Sequence, residues 1–413
     1  MKPLRSTRND WIAVAALSTI TALAVTTVWA TSEHRSSSLD TSLSAEQPAE
    51  IKAPTPQLPD TLSERYELSD NAIAAAYKPT IIDGVLLTST NDDSSSEVTA
   101  FNPDNAEQLW TYTRALPLCS LSTAFQNAYP TYLSNSGCGD TVGIRARSGT
   151  YAATRSALAS RDVIPISSNS AVGTVSTQRV ELWRSDLVRT VEYGQVDAPA
   201  EPNLQPHPGC TIDSALTRTD LLAVVERCDG RTQLTFQKSV PEEFRTPELN
   251  EDATVELPEG SHLVAVAQHG AAIWSPKDHS VHAYDDSGAL LSSIPVAEKS
   301  PSSAAGKDLP FAPMVADLPY HIAWFDGSAL HLLKPEDLSL EHTFDDAIGT
   351  PVAIGEDVAY PTASGIRIVD WRSGETKQNI EVDRKGYAGP VGLGLAANTL
   401  IEKRGDVVVG LSG

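Results

Sequence analysis

Positive charge is scarce in this sequence: 31 lysines and arginines stand against 53 aspartates and glutamates, for a formal charge of −22. A surface of that sign repels phosphate backbones, and no basic stripe interleaved with aromatics occurs, so nucleic acid is not an expected partner. Cysteines are few as well, four in 413 residues, none adjacent to another and none spaced as CxxC. That argues against a structural zinc site or a thioredoxin-type redox pair. The HExxH, GxSxG and P-loop patterns are missing. So is any amphipathic stretch longer than about ten residues with a helical period. Long apolar runs are missing too, with one exception.

The exception is Trp11 to Ala30, WIAVAALSTITALAVTTVWA, which carries no charged side chain. Twenty helical residues span about 30 Å, the thickness of a bilayer core. Lys2, Arg5 and Arg8 precede it, so the positive-inside rule keeps residues 1–10 in the cytoplasm and sends the rest across. The expected address is the cytoplasmic membrane, single-pass, with the C-terminal domain extracytoplasmic. Val28 and Ala30 also suit a signal-peptidase site, but the run exceeds the usual h-region of about 7–15 residues and bulky Trp29 adjoins the bond. A retained signal anchor over 11–30 is the preferred reading. No cysteine follows that would carry a lipid.

Residues 31–70 are rich in Ser, Glu, Pro and Ala and read as a disordered linker, with a reach on the order of 35 Å as a flexible coil. All four cysteines lie beyond it, in number and place suited to disulfides. Between Cys210 and Cys228 the sequence reads as a hairpin with its turn at Arg218 to Asp220, and between Cys119 and Cys138 as a similar one turning near Tyr129-Pro130. The expected pairs are therefore Cys119 with Cys138 and Cys210 with Cys228, each contributing on the order of 3 kcal/mol by constraining the unfolded chain.

Over 71–413 short β-branched runs recur between Gly, Asp, Asn, Ser and Pro, an all-β pattern. PVAIGEDVAYPTASGIRIVD from Pro351 aligns with PVGLGLAANTLIEKRGDVVVG from Pro390. With Ala100, Gly143, Val180, Gln233, Val281, Leu330, Ile366 and Val407 as markers, comparable units recur at steps of 36 to 53 residues. That is the period of propeller blades. Eight markers give seven or eight blades. Seven is preferred if DVVVGLSG at the C-terminus completes a blade with the strands near Ile81 to Thr88, closing the ring and removing open edges.

AFNPDNAEQLW from Ala100 resembles the repeat of PQQ-like, quinoprotein-type propellers at Ala100, Asn102, Asn105, Glu107 and Trp110, with Ala106 where Gly is usual. AYDDSGALL from Ala283 and IVDWRSGE from Ile368 echo it. Asp or Asn side chains of such turns bond backbone amides, and the Trp docks between blades. With its anchor and paired cysteines the chain looks like the membrane-anchored PQQ-like propellers of actinobacteria, whose function is mostly unassigned. The resemblance implies a fold and an address but no reaction. Quinoprotein dehydrogenases have adjacent cysteines and a Trp in nearly every blade, which this chain lacks, so no cofactor is expected.

His262, His269, His279 and His282 lie close in sequence, yet the HxxH from His279 would place its rings on opposite faces of a strand, so turn histidines at the surface are expected. DDSSS from Asp92 and FDDAIG from Phe344 lack the spaced ligands of a calcium loop and read as solvated turns. No catalytic, cofactor-binding or metal-binding residue is nominated. The function expected is a binding or scaffold module of the cell envelope with a protein partner, by analogy with the propeller scaffold of outer-membrane protein assembly. The alternatives are an envelope enzyme acting on a sugar or peptide at the propeller mouth, and a ligand sensor.

Overall fold

The computed structural model of the chain describes residues 7–31, 33–92, 95–196, 199, 201–243, 246–296 and 300–413. Lys2 and Arg5 of the basic flank, and Asp93 and Ser94 of the DDSSS run, fall outside these. One helix, Arg8–Thr31, is followed by an all-β ring of eight sheets. Each sheet is antiparallel, with its first strand at the centre and its fourth outside, and the first strands of neighbouring sheets touch around a central channel. This is an eight-bladed propeller. The eight marker residues fall one per blade, each on the third strand, so the sequence period is the blade period.

The count is eight rather than seven because of how the ring closes. Thr80–Ile82 and Val85–Asn91 begin blade 1 together with Ser96–Asn102 and Glu107–Arg114. The C-terminal strand Val407–Ser412 belongs instead to blade 8, with Val391–Ala396 and Thr399–Arg404. The outer strand of that blade is Ser63–Ser69, which pairs antiparallel with Val407–Ser412. Both ends of the chain thus build one sheet and no inner edge is left open.

Residues 31–70 therefore do more than link. Besides Ser63–Ser69, the strand Ser37–Thr41 adds a fifth, outermost strand to blade 1, pairing with Glu107–Arg114. Residues between them bond turns of the two blades that flank blade 1: Ala49 N–H donates to the Arg147 carbonyl of blade 2 and Thr55 N–H to the Ala397 carbonyl of blade 8. The physical reason for the misreading is that Ser63–Ser69 buries only one face, alternating exposed and half-buried residues, so SERYELS looks polar throughout.

The core is a ring of interblade clusters. In blade 1 the motif read from the sequence works as its chemistry requires. Asn102 Oδ1 accepts the Asp104 amide at 3.1 Å, Ala106 takes the left-handed conformation (φ 55°) usually given to Gly, and Trp110 is fully buried. Its indole donates to the Ala146 carbonyl of blade 2 at 2.6 Å. Gly149 passes beneath the ring so closely that a Cβ there would lie 2.8 Å from Trp110. Asp285 and Asp370 cap the corresponding turns of blades 5 and 7.

Both expected disulfides form, Cys119–Cys138 and Cys210–Cys228. The second closes a hairpin whose turn lies at Thr219 and Asp220. The first differs from expectation: Tyr129 and Pro130 lie inside the strand Asn127–Ser134, and the turn before it is Phe125-Gln126. Cys119 stands on the first strand of blade 2 and Cys138 on the third.

Candidate functional site in the central channel

The first strands that line the channel include Leu118–Ala124, Ile164–Ser167, Thr211–Arg218, His262–Ala267, Met314–Asp317 and Val391–Ala396. Each begins at the crossover face, where the fourth strand of one blade passes to the next, and ends at the opposite face. Two crossover connections cover the channel at the crossover face. One is Asn71–Pro79, between blades 8 and 1. Its Ala75 packs on Ile164 and Ile166 of blade 3, and its Tyr77 hydroxyl both donates to the Val315 carbonyl (2.8 Å) and accepts from the Val315 amide (3.0 Å) of blade 6. The other leads into blade 6, where Phe311 N–H donates to the Asp213 carbonyl of blade 4 and the Phe311 ring stacks on His262 with centroids 4.6 Å apart.

Small residues make room for this cover. The run NAIAAAYKP carries four alanines, and the inner strand of blade 8 reads VGLGLA. A Cβ on Gly392 would sit 2.1 Å from the Tyr77 carbonyl oxygen, so the glycine permits a backbone approach that no other residue allows. Alternate glycines beside an alanine-rich connection are the sequence signal for this site.

Below the cover lies a cavity of about 380 Å³. Its walls are mostly aliphatic, with Ile73, Ile81, Leu121, Ile164, Ile166, Val266, Val315 and Ile322 among them. At the far end Arg218 of blade 4 and Asp317 of blade 6 pair across the rim, Asp317 being the more exposed. Asp70 reaches the wall with its charge already spent. Its Oδ2 lies 2.6 Å from Lys403 Nζ, its Oδ1 accepts from Ser89 N and Oγ, and both members of the ion pair are buried. Lys78 is different: its Nζ donates to the Val315 carbonyl at 3.0 Å, and no carboxylate among the described residues pairs with it.

The candidates read from the sequence lie elsewhere. His262 is no turn histidine: it begins the inner strand of blade 5, is largely buried against Phe311, and burial pushes its pKa down to about 4. His269 pairs with Asp286 at the surface, and His282 bridges Asp278 and Ser293. In the FDDAIG turn Asp346 pairs with Arg367 and accepts from Tyr360.

Two polar clusters were not foreseen. His207, Glu226 and Cys228 place ligand-type atoms within 4.8 Å of one another, but the Cys228 sulfur is committed to Cys210. Glu226 is fully buried and is held by Tyr193, His207 and Gln233, which fixes the connection between blades 3 and 4 to the body. Between blades 2 and 3, Arg155, Arg179 and Arg189 surround Glu181 and Glu192. Burial, opposed by the arginines, pushes the Glu192 carboxyl up. Both clusters bond blade to blade and neither borders the channel.

No family model matches the chain, and no curated protein does. Among solved structures it is similar to the crystal structure of BamB from Moraxella catarrhalis, with a TM-score of 0.50 and 13% identity over 86% of this chain and 100% of that one. It is similar as well to a computationally designed protein, Ika8, with a TM-score of 0.50 and 11% identity over 87% of this chain and 99% of that one. At these identities the likeness is one of fold.

Proposed function

We propose that this chain is a membrane-held binding protein of the cell envelope. On this reading the N-terminal helix spans the cytoplasmic membrane and the propeller stands on its outer side, presenting the channel to a partner or ligand. The observation that carries it is the junction between helix and ring. The helix carries the uncharged run Trp11 to Ala30 with no part of it buried against the protein, a surface that water does not tolerate and a bilayer does. The strand Ser37–Thr41 begins six positions after the helix ends at Thr31, so the edge of blade 1 is held within about 20 Å of the helix terminus even by fully extended chain.

The junction also favours an orientation. Ser37 pairs with Arg114, the last residue of the outer strand of blade 1, so the chain enters at the crossover face, which the connections already cover. The rim of Arg218 and Asp317 lies on the opposite face. The open end of the channel is thus turned away from the point of attachment, toward whatever the envelope offers.

The test is crosslinking in intact cells with the tagged full-length chain, followed by mass spectrometry, with a control lacking the propeller and a parallel membrane fractionation. Reproducible recovery of envelope proteins through the propeller, from the membrane fraction, is the expected outcome. Recovery in the soluble fraction would overturn the anchor, and the absence of any propeller-dependent partner would overturn the scaffold reading.

A further inference from the structure

We infer that the channel is a binding site for a small monocarboxylic acid with an apolar, aromatic or branched body, and that Lys78 is the residue that recognises its carboxylate. The inference deepens the binding reading above and rests on it.

The cavity, about 380 Å³, lies at the low end of the range of roughly 300–1,000 Å³ that holds small organic ligands. Aliphatic walls from blades 1 to 6 offer nothing to a strongly hydrated ion and favour a ligand that sheds water with its body. Against that wall stands one ammonium group. In a protein carrying 53 acidic side chains, every other charge at the cavity is matched: Asp70 by Lys403 and Asp317 by Arg218. Among the described residues Lys78 meets the Val315 carbonyl, at 3.0 Å, and the face of the Tyr77 ring, 5.5 Å from its centroid, neutral partners that leave its charge without a counter-ion and an N–H donor available. A half-buried cation in such surroundings is held at a cost that a carboxylate within hydrogen-bond distance would offset.

The charge count fixes the class of ligand. Among the described residues one cation at the cavity lacks a counter-ion, which matches one negative charge. Phosphate or a dicarboxylate would bring a second charge with no cation left to receive it. Entry is from the face that bears Arg218 and Asp317, since Asn71–Pro79 covers the other. The connection that carries Lys78 is itself held by Tyr77 on blade 6, so the ammonium is positioned before a ligand arrives.

The experiment uses the full-length chain in lipid nanodiscs and titrates 4-phenylbutyrate and its neutral counterpart 4-phenylbutyramide by calorimetry at neutral pH. The acid is expected to bind at least tenfold more tightly than the amide. Lys78→Met should abolish that preference, and Lys78→Arg should keep most of it. Ala75→Leu, which narrows the well and leaves Lys78 in place, should weaken acid and amide together. Equal affinity for acid and amide, no binding of either at millimolar concentration, or an unchanged preference in folded Lys78→Met would overturn the inference. Should Lys78→Met fail to fold, the ratio of acid to amide in the native chain and the Ala75→Leu response still decide it. A blank titration leaves crosslinking to a protein partner untouched, and a failed crosslink leaves the titration standing, so the two readings fall separately.

Discussion

The ion pair between Lys403 and Asp70 joins three elements that meet only when the ring is closed. Asp70 directly follows the outer strand of blade 8, Lys403 lies on the second strand of that blade, and Ser89 of blade 1 donates to the same carboxylate. Both charges are buried, their side chains 3% and 4% exposed. Lys403→Met keeps the aliphatic stem and removes the charge, leaving Asp70 ionised and dry with only the serine donors. Removing one partner of a buried pair costs about 3–5 kcal/mol, because the remaining charge has lost its solvent and its counter-ion together. In urea, with a slope of at least ~3 kcal/mol per molar for a chain of this size, the midpoint should fall by up to about 1–1.7 M. Tryptophan fluorescence reports the transition through Trp110, Trp183, Trp274 and Trp324, all buried. The double variant Lys403→Met with Asp70→Asn removes both charges and should recover a large part of the loss, a positive coupling in the double-mutant cycle. A Lys403→Met midpoint within experimental error of the parent, or a double variant whose losses simply add, would refute the reasoning.

Three further outcomes follow from the geometry. The pKa of His262 is lowered by burial to about 4 from an ordinary value near 6.5, so its neutral form is favoured in the fold. Its contribution is complete above pH 6.5 and is lost as pH falls toward 4, a decline of about 3 kcal/mol. Denaturant midpoints for the parent and His262→Phe should therefore converge or cross as the solution is acidified. Gly392→Ala forces a Cβ to within 2.1 Å of the Tyr77 carbonyl, and should destabilise by about 1–3 kcal/mol and raise hydrogen exchange in residues 71–79 before the blades respond. Replacing Cys210 and Cys228 together by serine should cost about 3 kcal/mol, measured by denaturation against the same chain under reducing conditions, where the difference should vanish.

The repeat made the fold legible. The turn after the third strand carries Asn or Asp in blades 1, 5 and 7, at Asn102, Asp285 and Asp370, and strand pairs recur at one blade's spacing even where identity between blades has decayed. The blade count slipped at the seam, because closure there is made by residues far apart in sequence. Ser63–Ser69 has the composition of a linker, and only its partner Val407–Ser412 makes it a strand. Local pattern reports burial on one face poorly when the buried side chains are Arg65-flanked Tyr66 and Leu68 rather than an unbroken apolar run. The channel was hidden for a related reason. Its cover is written in alanines and glycines, residues whose meaning is the space they leave, and Lys78 gains significance only when the carboxylates of its neighbours prove to be occupied. His262 reads as a turn residue because Glu259, Gly260 and Ser261 precede it, while the ring that buries it, Phe311, comes from the connection into blade 6.

The closing blade sets a timetable for biosynthesis. Ser63 and Ser412 are hydrogen-bonded partners 349 residues apart, so the first strand of the blade emerges long before the strand it pairs with. At about 5–20 residues per second the wait is roughly 20–70 s. Throughout it an unpaired edge stands open to other chains. Glu64, Arg65 and Glu67 keep that edge charged and unattractive to other strands. The polarity that disguised the strand as a linker is then a safeguard for a nascent chain, and the carboxyl-terminal residues act as the fastener that ends its exposure.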